Sequence, residues 1–238
     1  MFDFKIFNIP VRIEPWFWLT GFLLGRGLSI ESRQDFLEVL LWIIILFVSI
    51  LIHELGHALT SRKFTGVNPS IKLWGMGGLA YPNTQLTRKQ SFWVTWAGPL
   101  AGLGFFGLTV LSCCFIYGFK VGPNLTLNLL FGTDIYYETY TALRGMNDSV
   151  FYILRQLFWI NFWWSLVNLL PVFPLDGGQI YASIEQSPKK VWIVGMVTGA
   201  LVAVAALVLL KSIFIAIMFG FFAYQNYQRI QQMNGGFR

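Results

Sequence analysis

The sequence contains few charged residues. Asp, Glu, Lys and Arg together make up 12% of the 238 residues, whereas an ordinary soluble domain contains about 25%. Hydrophobic residues make up 55% of the chain and aromatic residues 18%. This composition excludes a typical soluble domain and predicts a polytopic membrane protein.

Cysteine is also scarce, and the two cysteines of the chain, Cys113 and Cys114, are adjacent. Neighbouring cysteines are too close in sequence for an easy mutual disulfide. We therefore expect no disulfide here and interpret both side chains as small packing residues.

Acidic residues are missing from one of the predicted loops. The segment from Ser61 to Gln90 has five basic residues and no acidic one, whereas the segment from Lys120 to Val150 has two basic and three acidic residues. Because basic residues favour cytoplasmic loops, the first segment is predicted to be cytoplasmic and the second external. This distribution explains the net charge of +6 without a nucleic-acid partner.

Long apolar runs are present in place of charge. Those long enough to cross hydrocarbon are Phe36 to about Leu59, Phe92 to Phe119, Phe151 to Leu170, and Val191 to Tyr224. The last is too long for one helix and contains Lys211, so we interpret it as two short spans; one span followed by an interfacial helix is the alternative. With a short run from Trp16 to Leu28, six spans are predicted for an all-α polytopic membrane protein.

Histidine occurs only twice, at His53 and His57, and both lie inside an apolar run with Glu54 between them. Residues four apart share one face of a helix, so the two imidazoles could bind one ion. Such neutral imidazoles suit Zn²⁺, and the intervening carboxylate could take a proton from a water that attacks a carbonyl. An ionisable cluster in a predicted span is costly, which favours a functional site over a chance match.

A catalytic zinc site needs a third protein ligand, and Asp176 is the best candidate. It follows a segment with Pro171 and Pro174 and precedes two glycines, so the backbone is predicted to be unwound there. Unwound backbone at membrane depth is tolerated where protein or a water-filled cavity satisfies it. The alternative is an aqueous loop residue that caps a helix.

Polar residues recur at helical spacing on the span that leads into this segment, at Asn161, Ser165 and Asn168. We interpret Asn161 and Ser165 as helix-packing residues. Asn168, the nearest to the break, is predicted to hydrogen-bond a substrate backbone or an oxyanion.

These motifs together resemble the site-2 protease family of intramembrane zinc metalloproteases, through the His53-Glu54-x-x-His57 and Asn168-x-x-Pro171-x-x-x-Leu175-Asp176-Gly177 patterns. Residues 9–13 look like the entry to the first span of minimal bacterial members related to the sporulation-factor processing proteases. Residues 97–102, Ala-Gly-Pro-Leu-Ala-Gly, look like the small-residue motif of the third span.

The resemblance implies a zinc metalloendopeptidase with one Zn²⁺ per chain, held by two histidines and an aspartate that match His53, His57 and Asp176. The family's general base matches Glu54. It also implies a six-helix core, a single transmembrane domain over residues 1–238 without a PDZ or CBS module, and membrane-protein substrates such as single-span or signal-peptide-like helices. The expected location is the bacterial inner membrane, with the site toward the cytoplasmic side.

A Gly-rich stretch from Ser70 to Tyr81 predicts two short strands, and the family has a membrane-associated β-hairpin at this place. Its edge could hold an extended peptide, although a purely structural hairpin is the alternative. Two other functions stay open: a catalytically silent relative that binds membrane proteins, and a metal transporter.

Overall fold

A computed structural model describes residues 2–235 and divides the chain into two compact units. Among the described residues, the first unit comprises 2–85 and 100–165, and the second comprises 86–99 and 166–235. In chain order the elements are β1 Phe2–Ile6, β2 Ile9–Ile13, α1 Pro15–Leu24, α2 Arg33–Thr65, β3 Ser70–Trp74, β4 Gly77–Tyr81, α3 Arg88–Tyr117, α4 Val121–Phe131, α5 Tyr137–Arg144, α6 Asp148–Asn168, α7 Asp176–Ile184, α8 Pro188–Val208 and α9 Ile213–Gly235.

The predicted helical membrane fold is confirmed, but the number of spans is not. Within residues 2–235, three helices are long and apolar enough to cross a membrane: α2, α3 and α8. Helix α1 is apolar but short, as expected. Helix α6 contains Arg155 and Gln156, and α9 becomes polar after Tyr224, so neither stands out by hydropathy. The six-span core stays a prediction.

Helix α2 is the 33-residue helix of the first unit that carries both histidines. It begins with a capping box in which the Ser32 hydroxyl accepts from the Asp35 N–H and the Asp35 carboxylate accepts from the Ser32 N–H. It ends at Thr65, and the following Gly66, with a positive φ of 70°, caps the last turn. At about 1.5 Å per residue it is longer than a hydrocarbon core is thick.

A four-stranded sheet in the order β1-β2-β3-β4 also belongs to the first unit. The predicted hairpin of β3 and β4 is confirmed, with antiparallel pairing from Ser70–Tyr81 to Trp74–Gly77. The β1-β2 hairpin was missed, because residues 9–13 were interpreted as the entry to a span. Strand β2 pairs in parallel with β3 and buries Ile9, Val11 and Ile13 in alternation.

The core of the first unit lies where the sheet packs on α2. Ile71 and Leu73 of β3 are almost fully buried against Ile50 and Leu55 of α2. Beside this core, the Lys72 ammonium lies 2.6 Å from a Glu14 carboxylate oxygen. That hydrogen bond raises the pKa of Lys72 and joins β3 to the chain entering α1.

The segment from Lys120 to Val150, which the sequence predicted to be external, contains the short helices α4 and α5. The buried side chain of Asn124 joins them: its amide donates to the Asp134 carbonyl at 3.1 Å and accepts from the Tyr136 N–H at 3.1 Å. On α5, the Arg144 guanidinium lies over the Tyr140 ring. The predicted external side stays a prediction.

The second unit contains a helix pair, and the break between its helices lies where the sequence predicted a turn within Val191 to Tyr224. That α9 is a second span stays a prediction. The chain breaks between α8 and α9, where Lys211 has a positive φ of 50°. Gly199 lies against the Ala223 backbone, and such small residues allow helices to approach closely. Val172, from the segment before α7, is buried with Phe219 and Phe222 of α9.

Leu73→Ala should lower the stability of the folded protein by about 2–5 kcal/mol, because it leaves a cavity at a fully buried position of β3. Leu79→Ala is the matched control, since Leu79 on β4 is 38% exposed. Thermal unfolding of the two variants in detergent checks this. Equal melting temperatures would contradict the packing of the sheet on α2.

Candidate metal centre

The two histidines lie one turn apart on α2, and both side chains are buried. Their Nε2 atoms are 3.2 Å apart. Two nitrogens bound to the same tetrahedral zinc at about 2.0–2.1 Å would be about 3.3 Å apart. The imidazoles are therefore already spaced as two ligands of one ion.

Asp176 is the first residue of α7, and its side chain is 7% exposed. Ligand atoms of His53, His57 and Asp176 all lie within 4.8 Å of one another, so these three residues could hold a metal ion. The burial of Asp176 disfavours the alternative of an aqueous loop residue. A set of two imidazoles and one carboxylate also suits a catalytic zinc, which keeps a fourth position open.

The unwound segment before Asp176 is confirmed. Helix α6 ends at Asn168, α7 begins at Asp176, and the residues between them form turns. The glycine after Asp176 is required sterically, because a Cβ on Gly177 would lie 2.1 Å from the Leu169 carbonyl oxygen. The proline and glycine pattern therefore correctly predicted the local backbone at the third candidate ligand.

Glu54 lies beside the histidines on α2 and is 5% exposed. Its neighbour from the sheet is Gly78 of β4: a Cβ there would lie 2.3 Å from Glu54 Cγ and 2.5 Å from Oε1. Strand β4 therefore approaches the Glu54 carboxylate closely only because residue 78 is glycine. The structure pairs this glycine with Leu73 inside the strand. A glycine within a strand is itself a signal of close approach.

Of the three polar residues singled out on α6, Asn161 and Ser165 lie inside the helix and Asn168 lies at its end. Asn161 is buried, and its amide donates to the Ser49 hydroxyl of α2 at 3.0 Å, which confirms its helix-packing role. Ser165 is fully buried, and a Cβ on Gly102 of α3 would lie 2.3 Å from its hydroxyl oxygen. Asn168 is the last residue of α6, directly before the unwound segment; its role stays a prediction.

Residues 41–211 match the family described as peptidase family M50. Zinc metalloprotease MJ0392 of Methanocaldococcus jannaschii is 29% identical over 181 residues, which cover 76% of this chain and 44% of that protein. A relative from Synechocystis sp. is 30% identical over 190 residues, covering 76% of this chain and 42% of that protein. The chain thus spans less than half the length of these two relatives.

The fold is also similar to a solved structure, the site-2 protease from Methanocaldococcus jannaschii, with a TM-score of 0.58 and 24% sequence identity. That match covers 94% of this chain and 95% of the other. At 24% identity, this similarity supports the fold alone.

Asp176→Asn should weaken metal retention, because an amide replaces the charged ligand while the shape of the side chain is kept. Zinc content of the purified protein after mild chelation measures the effect. Asp134→Asn is the control, since Asp134 is exposed between α4 and α5. Equal zinc retention by the wild type and both variants would rule out Asp176 as the third ligand.

Proposed function

The chain belongs to peptidase family M50, and we propose that it is an intramembrane zinc metalloprotease that hydrolyses peptide bonds in or near transmembrane segments. The observation that carries this proposal is the buried group of His53, His57 and Asp176, with Glu54 on the same helix as the histidines. One Zn²⁺ per chain is expected. We treat residues 1–238 as one transmembrane protease domain.

The three proposed ligands are a hard carboxylate and two imidazoles, a donor set that suits zinc. Zinc bound there would act as a Lewis acid toward the scissile carbonyl and lower the pKa of water at its open position. His53 and His57 would contribute neutral ring nitrogens, and the Asp176 carboxylate would offset part of the ion's charge.

Glu54 is the proposed general base. Its carboxylate would take a proton from the attacking water and then deliver it to the leaving amine, as a base poised beside the ligands can do. Asn168 is the proposed donor to the substrate backbone or to the oxyanion that develops on the carbonyl. Its position at the end of α6, where the regular helix stops, supports this role.

The edge of the sheet offers a place for the substrate backbone. Within residues 2–235, β4 is the last strand in the sheet order, and its Gly78 lies against Glu54. A peptide added to β4 as a further strand would gain main-chain hydrogen bonds without sequence selection. Because a helical backbone hides its carbonyls, the substrate must unwind first, and helix-weakening residues should favour cleavage.

The proposed substrates are membrane proteins with a single span or a signal-peptide-like helix. The proposed location is the bacterial inner membrane as an integral multi-pass protein, with the site toward the cytoplasmic side. The basic segment from Ser61 to Gln90, which begins in the last turns of α2, supports this orientation, because both histidines precede it on the same helix.

A catalytically silent relative that only binds membrane proteins is the alternative. Such a protein would need neither the base nor a complete ligand set, yet Glu54 and the three proposed ligands are all present and buried. A metal transporter is less compatible still, because its ionisable groups should be distributed through several spans.

Glu54→Gln should abolish cleavage of a single-span substrate while zinc stays bound, because it removes the base without removing a ligand. Zinc content and cleavage are measured on the same purified protein in detergent. His57→Ala is the contrasting variant and should lose both. Turnover by Glu54→Gln would contradict the assigned mechanism.

Gly78→Ala should reduce cleavage by at least about 10-fold, since the added Cβ would displace either Glu54 or β4. Zinc content should be unchanged because no ligand is touched. Gly104→Ala is the control, because a Cβ on Gly104 would meet nothing within 4 Å. Wild-type activity in Gly78→Ala would show that the approach of β4 to Glu54 is not needed.

A further inference from the structure

One polar side chain of α9 is buried in an otherwise apolar part of the second unit. Asn226 is 1% exposed, and its amide nitrogen donates to two backbone carbonyls. One is Phe222, four residues earlier on α9, at 2.7 Å. The other is the carbonyl of Phe173, at 2.9 Å. Phe173 is 53 residues earlier in the chain and belongs to the unwound segment. Asn226 therefore links the last helix to the segment that precedes Asp176.

The Phe173 carbonyl needs such a donor. Residues 169–175 leave the helical hydrogen-bonding pattern, and a carbonyl without a partner in an apolar environment destabilises the folded state. Phe173 is three residues before Asp176, and α7 begins at Asp176 itself. The position of this carbonyl thus constrains the start of the helix that presents the proposed ligand.

A glycine on the neighbouring helix α8 leaves space for the Asn226 amide. A Cβ on Gly195 of α8 would lie 2.3 Å from Asn226 Oδ1 and 2.9 Å from Cγ. Any other residue at position 195 would push the amide out of place. The three atoms nearest to that Cβ all belong to Asn226, so a substitution of Gly195 would reach the unwound segment through Asn226. The contact can therefore be tested by changing either residue.

We propose that Asn226 is a positioning residue for the metal centre: by holding the Phe173 carbonyl it fixes the unwound segment and so the Asp176 carboxylate. This inference rests on the proposed function, because it takes Asp176 as a zinc ligand. Asn226 itself does not touch the metal or the substrate. Groups that hydrogen-bond a metal ligand directly typically contribute about 10–100-fold to metal affinity. Asn226 acts three residues from the proposed ligand, so we expect an effect at the lower end of this range.

The test is zinc affinity of the full-length protein in detergent, measured by competition with a chelator, for Asn226→Ala and Gly195→Ala. Both variants should bind zinc at least about 10-fold more weakly than the wild type, the first by losing the donor and the second by displacing it. The double variant should be no worse than Asn226→Ala alone, because truncation of Asn226 removes the clash at residue 195.

Asn161→Ala is the matched control. Asn161 is also a buried asparagine whose amide donates to the carbonyl four residues earlier and to a second helix. The Asn161→Ala variant should have a lower melting temperature than the wild type but a similar zinc affinity. A general loss of stability cannot produce this difference between the two asparagines.

Wild-type zinc affinity in folded Asn226→Ala, or additive losses in the double variant, would overturn the positioning role alone. Equal losses of affinity in Asn226→Ala and Asn161→Ala would also overturn it. Absence of zinc from the folded wild-type protein would instead overturn the proposed function, and the inference with it.

Discussion

Ionisable side chains and backbone outside regular helices are buried in apolar surroundings, and the rest of the structure depends on this constraint. A charged side chain or an unpaired backbone group costs several kcal/mol in such a place. Yet His53, Glu54, His57 and Asp176 are all buried, and Asp176 follows seven residues that form no regular helix. A metal ion held by His53, His57 and Asp176 would explain this arrangement, because coordination would offset the cost of burying three of these side chains.

The residues around these groups are consistent with that interpretation. Polar side chains lie where backbone carbonyls or neighbouring helices need a hydrogen bond, and glycines lie where a Cβ would clash. The amide of Asn226 satisfies a carbonyl of the unwound segment, and that of Asn161 joins α6 to α2. Gly78 and Gly195 remove the Cβ atoms that would collide with Glu54 and Asn226. Gly78 and, in our proposal, Asn226 and Gly195 limit where Glu54 and Asp176 can lie, whereas Asn161 serves helix packing.

The sequence predicted those parts that are encoded locally. The spacing of His53 and His57 indicates a shared helix face, the prolines and glycines around Asp176 indicate a broken backbone, and Lys211 marks the break between α8 and α9. The missed parts depend on contacts distant in sequence. The parallel pairing of β2 with β3 joins residues about 60 positions apart, and the contact of Asn226 with Phe173 joins residues 53 apart. A hydrophobic pattern or a turn motif carries no information about such pairs.

The most direct test of the account is a zinc K-edge X-ray absorption spectrum of the purified protein, together with its zinc stoichiometry. We predict about one zinc per chain with only nitrogen and oxygen ligands at about 2.0–2.1 Å, including the scattering of two imidazoles. Zinc with sulfur ligands at about 2.3 Å, which only Cys113, Cys114 or a methionine could supply, would contradict the assigned centre. So would folded protein that binds no zinc.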